Sequence, residues 1–155
     1  MYYDPYDYEI GYRNVQPGAG NPQQAVFLAN LIRAINGEYS AIACYEQIAR
    51  RAPSPQFRDI IMEIRDDEIR HFQTFSGFYT NITGTRPQPK INEPCPPTYT
   101  GGLEFGVKDE QNTVDFYRKI ANSVQDPVMK MAFEDAAKDE QHHAVWFLYL
   151  LMKVR

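Results

Sequence analysis

The apolar residues of this chain return every three or four positions along four long stretches, the spacing that collects them on one face of an α-helix. From Pro22 onward Leu28, Leu31, Ile35, Glu38, Ile42, Tyr45 and Ala49 make such a seam, which predicts a first helix over about 22–51. Ala52-Pro53-Ser54-Pro55 then breaks the pattern, with Ser54 suited to an N-cap and Pro55 to the first turn of a second helix over about 54–79. Its seam is Phe57, Ile61, Ile64, Glu68, His71, Phe75 and Phe78. A third helix, over about 103–123, carries Leu103, Val107, Glu110, Val114, Tyr117 and Ala121, and the period runs on to Val124. Asp126-Pro127 restarts the chain as Ser54-Pro55 did, giving a fourth helix over about 127–153 with Met129, Phe133, Ala136, Glu140, His143, Phe147 and Leu150 inward.

Residues 81–102 contain Pro87, Pro89, Pro94, Pro96 and Pro97, which forbid a helix there. A connection of this length is unusual in a compact domain and implies a topological role. Stretched at ~3.3 Å per residue it can cross a whole bundle, so the second and third helices can run parallel. Residues 1–21 hold five tyrosines among Pro, Gly and acidic residues without an apolar period, and read as an irregular Tyr-rich arm. The expected architecture is therefore all-α: one antiparallel four-helix bundle over 22–155, with a long crossover between its second and third helices. A length of 155 residues suits one domain with a proper core.

The polar residues on the seams change this picture. The two halves align without a gap at a shift of 72 residues: Glu38 falls on Glu110, Tyr45 on Tyr117, Pro55 on Pro127, Asp67-Glu68 on Asp139-Glu140, His71 on His143 and Phe75 on Phe147. Glu68 and His71, like Glu140 and His143, are three residues apart, one turn along one face of a helix. A lone E-x-x-H is common on surface helices, but both copies here lie on seams that the apolar residues define. Four carboxylates would then meet in one core. Uncompensated, each would cost several kcal/mol or take up a proton. Two divalent metal ions balance four carboxylates, and one Glu from each of two helices plus Glu-x-x-His from the other two is a dinuclear iron or manganese arrangement.

With these residues in hand, the chain resembles the ferritin-like superfamily, and within it the rubrerythrin branch, over about 22–153. That resemblance implies Glu38, Glu68, His71, Glu110, Glu140 and His143 as metal ligands, with Glu68 and Glu140 bridging and Glu38 and Glu110 each terminal on one metal. It implies two iron ions, with manganese or a mixed iron–manganese pair as alternatives, and positions open to O2 or H2O2. Two features depart from the branch. The sequence has no paired C-x-x-C of a rubredoxin domain, so a separate electron donor is expected. The extra glutamate that rubrerythrins carry three residues after the third-helix glutamate is Thr113 here, which leaves a symmetric six-ligand set closer to bacterioferritin or manganese catalase.

Beyond the ligands, Asp67 and Asp139 are placed to take the other ring N–H of the histidines, Asp67 with His143 and Asp139 with His71. Tyr45 and Tyr117, two turns after Glu38 and Glu110, can hydrogen-bond a carboxylate of the facing half. His142 points off the seam to the surface. The run from Ala144 to Leu151 is apolar all round its helix, which suggests cover by a partner subunit, as in a homodimer, or by the arm.

A net charge of −4 without a Lys/Arg cluster speaks against nucleic acid or an anionic membrane as partner. No stretch approaches the roughly 18 apolar residues of a membrane span, and no secretory signal is recognisable, so a cytoplasmic location is expected. Cys44 and Cys95 can form a disulfide, but the expectation is two unrelated, reduced thiols. The leading function is a dinuclear iron oxidase or peroxidase. Alternatives are iron storage with ferroxidase chemistry, manganese catalase-like peroxide disproportionation, and a metal-stabilised structural protein.

Overall fold

A computed structural model describes residues 21–154 and contains four helices: α1 Pro22–Arg50, α2 Pro55–Thr83, α3 Tyr99–Ser123 and α4 Pro127–Lys153. Each begins at a polar cap that satisfies otherwise orphaned amide groups. Asn21 accepts from the Gln23 amide, Ser54 from Phe57, Thr98 from Gly101, and Asp126 from both Val128 and Met129. Proline follows the cap in α1, α2 and α4, where its missing N–H costs nothing. The arm expected over 1–21 lies, apart from Asn21, outside the described residues.

Helix α2 continues past the expected end near residue 79, because the Thr80 and Thr83 hydroxyls bond back to the Ser76 and Tyr79 carbonyls and Gly84, at φ 73°, closes the last turn. Helix α3 begins at Tyr99 rather than near 103. Its first turn includes Gly101 and Gly102, poor helix formers that packing nevertheless requires. A Cβ on Gly102 would lie 2.6 Å from Ile48 of α1, and one on Gly106 2.9 Å from the Phe147 ring of α4.

Short links join α1 to α2 and α3 to α4 as antiparallel hairpins. The crossover then returns along α1. Asn36 Oδ1 accepts from the Lys90 amide at 2.8 Å, Ser40 exchanges two hydrogen bonds with Asn92, Cys44 is joined to Cys95 by a disulfide, and Arg51 donates to the Pro96 carbonyl. The contacts climb α1 about one turn at a time, so the chain reaches the far end of the bundle before α3 starts, and α2 and α3 run parallel. The disulfide corrects the expectation of two reduced, unrelated thiols. Cys95 sits in an irregular loop whose path periodicity cannot trace, and the crossover lays it against the buried Cys44.

Two apolar clusters fill the two ends. One gathers Leu31, Ile35, Phe72, Phe75, Tyr117, Ile120 and Phe133, with Phe75 and Phe133 stacked at 4.4 Å. The other gathers Tyr45, Ile48, Ile61, Leu103, Phe147 and Leu150. Between them lies a layer of buried charge. No described helix is long and apolar enough to cross a membrane.

The glycine contacts give a paired test. Gly106→Ala should destabilise the fold by ~1–3 kcal/mol through overpacking against Phe147. Gly37→Ala, with nothing within 4 Å of the new methyl, should instead stabilise it by ~0.5–1 kcal/mol. Denaturant unfolding of both variants reads the difference, and equal effects would remove the packing explanation.

Candidate metal centre

Each helix sends polar side chains into the layer between the apolar clusters: Glu38 from α1, Glu68 and His71 from α2, Glu110 from α3, and Glu140 and His143 from α4. All six are buried, none more than 6% exposed. The ligating atoms of Glu38, Glu68, His71 and Glu140 lie within 4.8 Å of one another, as do those of Glu68, Glu110, Glu140 and His143. Glu68 and Glu140 belong to both groups. The structure thus brings together all six residues singled out in the sequence, as two overlapping four-residue clusters.

The histidines are held from outside and point inward. His71 Nε2 lies 3.0 Å from Asp139 Oδ2 and His143 Nε2 2.9 Å from Asp67 Oδ2. Arg70 fastens both aspartates, at 2.8 Å from Asp67 and 3.3 Å from Asp139. With Nε2 engaged, each Nδ1 faces the carboxylates: His71 Nδ1 is 3.0 Å from Glu140, and His143 Nδ1 is 2.8 Å from Glu68. These separations are short, yet both Nδ1 atoms and oxygens of Glu68, Glu110 and Glu140 lack hydrogen-bond geometry. Donor atoms converging on a common point without bonding one another are what metal coordination requires, so the residues present fit a pair of ions. Tyr45 donates to Glu110 and Tyr117 to Glu38, each across from one half to the other.

Without metal, protons carry the compensation. Burial, then the Glu68 charge, pushes Glu38 well above the usual carboxylate range, and burial with Glu68 and Glu110 does the same to Glu140. Burial would also raise Glu68, but its contacts with Glu38, His143 and His71 outweigh that and hold it low. Burial opposes charge on the histidines. Contacts with Asp139 and Glu140 nonetheless lift His71 well above its ordinary value, and those with Glu110 and Glu68 lift His143 to about 11. Burial and then nearby carboxylates keep the Tyr45 and Tyr117 phenols protonated.

A cavity of about 470 Å³ opens on the centre from the face between α1 and α3. Gly37, Ser40, Ala41 and Cys44 of α1 line it opposite Asp109, Asn112, Thr113 and Phe116 of α3, residues that the 72-residue shift pairs one to one. Asn92 and Glu93 of the crossover complete the wall, and Glu38, Glu68, Glu110 and Glu140 are reached from within. Thr113 bonds back to the Asp109 carbonyl at 2.8 Å. Asp109, 3.4 Å from the Tyr45 hydroxyl, is raised to about 7 by burial and the neighbouring Glu110. Sequence reasoning missed Arg70, Asp109 and the crossover's share of the wall. Arg70 has no repeat partner of its kind, Asp109 falls opposite a glycine, and a proline-rich loop has no period to read. His142 is exposed and accepts from the Trp146 indole at 3.1 Å.

A four-helix bundle with two carboxylate–histidine clusters that share two glutamates and could hold metal is a ferritin-like arrangement. The rubrerythrin family model matches residues 29–151, and this chain belongs to that family. It is 47% identical over 153 residues to the uncharacterized protein YhjR of Bacillus subtilis, with 99% of each chain covered. Among solved structures it resembles a hypothetical protein from Pyrococcus furiosus, with a TM-score of 0.70 at 16% identity over 86% of this chain and 95% of that one. A conserved hypothetical protein from Mycobacterium tuberculosis gives 0.73 at 13% identity, over 84% of this chain and 93% of that one. At such identities the two structures speak for the fold alone.

Two tests address the site. Removing either shared carboxylate, Glu68→Ala or Glu140→Ala, should lower the metal content of the purified chain well below about two ions. If both variants keep it, the site is wrong. Metal must also displace the protons on Glu38, Glu140, His71 and His143, so affinity should rise with pH through neutrality towards about 11. Calorimetric titration with zinc in two buffers of different ionisation enthalpy should show net proton release at pH 7.

Proposed function

We propose that this chain is a dinuclear iron redox protein that reacts with O2 or H2O2, an oxidase or peroxidase of rubrerythrin type. One observation carries the reading: two buried clusters share Glu68 and Glu140, and a cavity leads to them. The ligands we assign are Glu38, Glu68, His71, Glu110, Glu140 and His143. A metal pair held there would supply two electrons, one from each ion, to a small oxidant. The protein does the rest. Asp67 and Asp139 keep the ring protons on Nε2 and so present both Nδ1 atoms inward. Tyr45 and Tyr117 orient Glu110 and Glu38, and their protonated phenols remain donors. The apolar clusters on either side confine water and oxidant to the cavity.

A second reading, manganese-dependent peroxide disproportionation, is favoured by Thr113. Its hydroxyl is spent on the Asp109 carbonyl, so the ligand set stays at three residues per half, symmetric between the halves. Iron storage would instead need a large cage. We further read the chain as a cytoplasmic homodimer, with the exposed Val145, Trp146, Leu148, Tyr149 and Met152 of α4 as the covered face. Metal analysis combined with spectra under O2 and under H2O2 tests the main reading. The chain loaded with about two iron ions should consume peroxide, and Glu68→Ala should lose at least ~90% of that rate if the metals react as a pair. A chain that bound no metal, or a loaded chain inert to both oxidants, would overturn it. Activity with manganese but not iron would select the second reading, and size in solution separates a dimer from a cage.

A further inference from the structure

Cys44 and Cys95 are joined where a four-helix bundle has little need of a staple. The crossover is already tied to α1 on the metal side of the disulfide, by Asn36 to Lys90 and by Ser40 to Asn92. What distinguishes the position is its access to two compartments. Cys44 is 3% exposed and lines the same cavity as Glu38, Glu68, Glu110 and Glu140. Cys95, on the outer strap, is only partly buried. Cys44 lies six positions after Glu38 in α1, about 9 Å along the axis. The residue after Cys44 is Tyr45, whose hydroxyl donates to Glu110, so bonds run without a break from the sulfur to a carboxylate of the centre. Disulfides in reducing compartments are usually transient and catalytic.

We propose that Cys44 and Cys95 are a redox-active dithiol that returns to the centre the two electrons it gives to peroxide. The inference rests on the peroxide reading above. In the balanced step both S–H bonds break and one S–S bond forms, releasing two electrons and two protons. With these H2O2 becomes two molecules of water. The disulfide is reset by an external dithiol of the small-molecule or thioredoxin-like class. Its thiolate attacks Cys95, the less buried of the two cysteines, a mixed disulfide forms and resolves, and the donor leaves as its own disulfide. The pair would thus act as the electron store of a chain whose sequence holds no C-x-x-C.

The test uses the intact chain. It is reduced with dithiothreitol, freed of reductant, checked for unchanged helix content, loaded anaerobically with ferrous iron and given one equivalent of H2O2. Free thiols are then counted, and the new bond is mapped by mass spectrometry. The expected result is loss of two thiols per peroxide as the Cys44–Cys95 disulfide, about tenfold faster than in the metal-free reduced chain, whose buried and partly buried thiols react slowly by themselves. In Cys95→Ser the ferric absorbance should persist where in the intact chain it decays. Peroxide consumed with both thiols left free would overturn the inference and leave the proposed function standing. Equal thiol loss with and without metal would also overturn it, as ordinary thiol oxidation. A loaded chain that left peroxide untouched would remove the proposed function and this inference together.

Discussion

Four carboxylates in the middle of a bundle set the terms for everything around them. Glu38, Glu68, Glu110 and Glu140 are each 2% exposed or less, where an isolated charge would cost far more than a fold of this size can spare. The chain handles this by mixing states: Glu38 and Glu140 are pushed towards the neutral form, Glu68 stays ionised, and His71 and His143 carry the balancing charge. Such a layer is tolerable but not restful, since several buried oxygens and both Nδ1 atoms still lack good hydrogen bonds. Cations held by the two clusters would resolve it.

The flanking structure follows from that layer. Because the charged centre contributes little favourable burial, the apolar side chains are divided between the two ends, with Phe75 stacked on Phe133 at one and Tyr45 tilted against Phe147 at the other. Tyr45 and Tyr117 serve both regions, ring in the apolar cluster and hydroxyl on a carboxylate. Outside, Asp67 and Asp139 fix the imidazoles, and Arg70 fixes the aspartates. Order passes inward from a solvent-exposed guanidinium to the buried Nδ1 atoms in three steps.

Much of this was legible in the sequence because helices write their packing at a regular interval. The period of three and four marked which face of each helix is inward, so Glu68 and His71 could be placed with Ile64 and Phe75. Ser54-Pro55 and Asp126-Pro127 gave two helix starts because cap chemistry is local. The start of α3 was hidden by Gly101 and Gly102, which lower helix propensity, although the approach to Ile48 needs Gly102. Arg70, the disulfide and the cavity wall were hidden for a different reason: each depends on where a segment lies in space rather than on its spacing along the chain. Cys95 has no repeat partner, and no periodicity brings it to Cys44.

The crossover is also where the two halves stop being equivalent. The 72-residue repeat pairs the α1 and α3 walls of the cavity residue for residue, and a bundle built from it alone would present the same surroundings at both ends of the centre. A single strand cannot obey that symmetry. By running along α1 from Asn36 to Arg51 it places Asn92, Glu93 and the cystine beside the α1 wall, while the position equivalent to Cys44 holds Phe116, under the guanidinium of Arg33. The six buried donors are therefore symmetric and their access is not. Six similar donors make the clusters alike, and a proline-rich loop that belongs to neither half decides what stands at the mouth of the cavity.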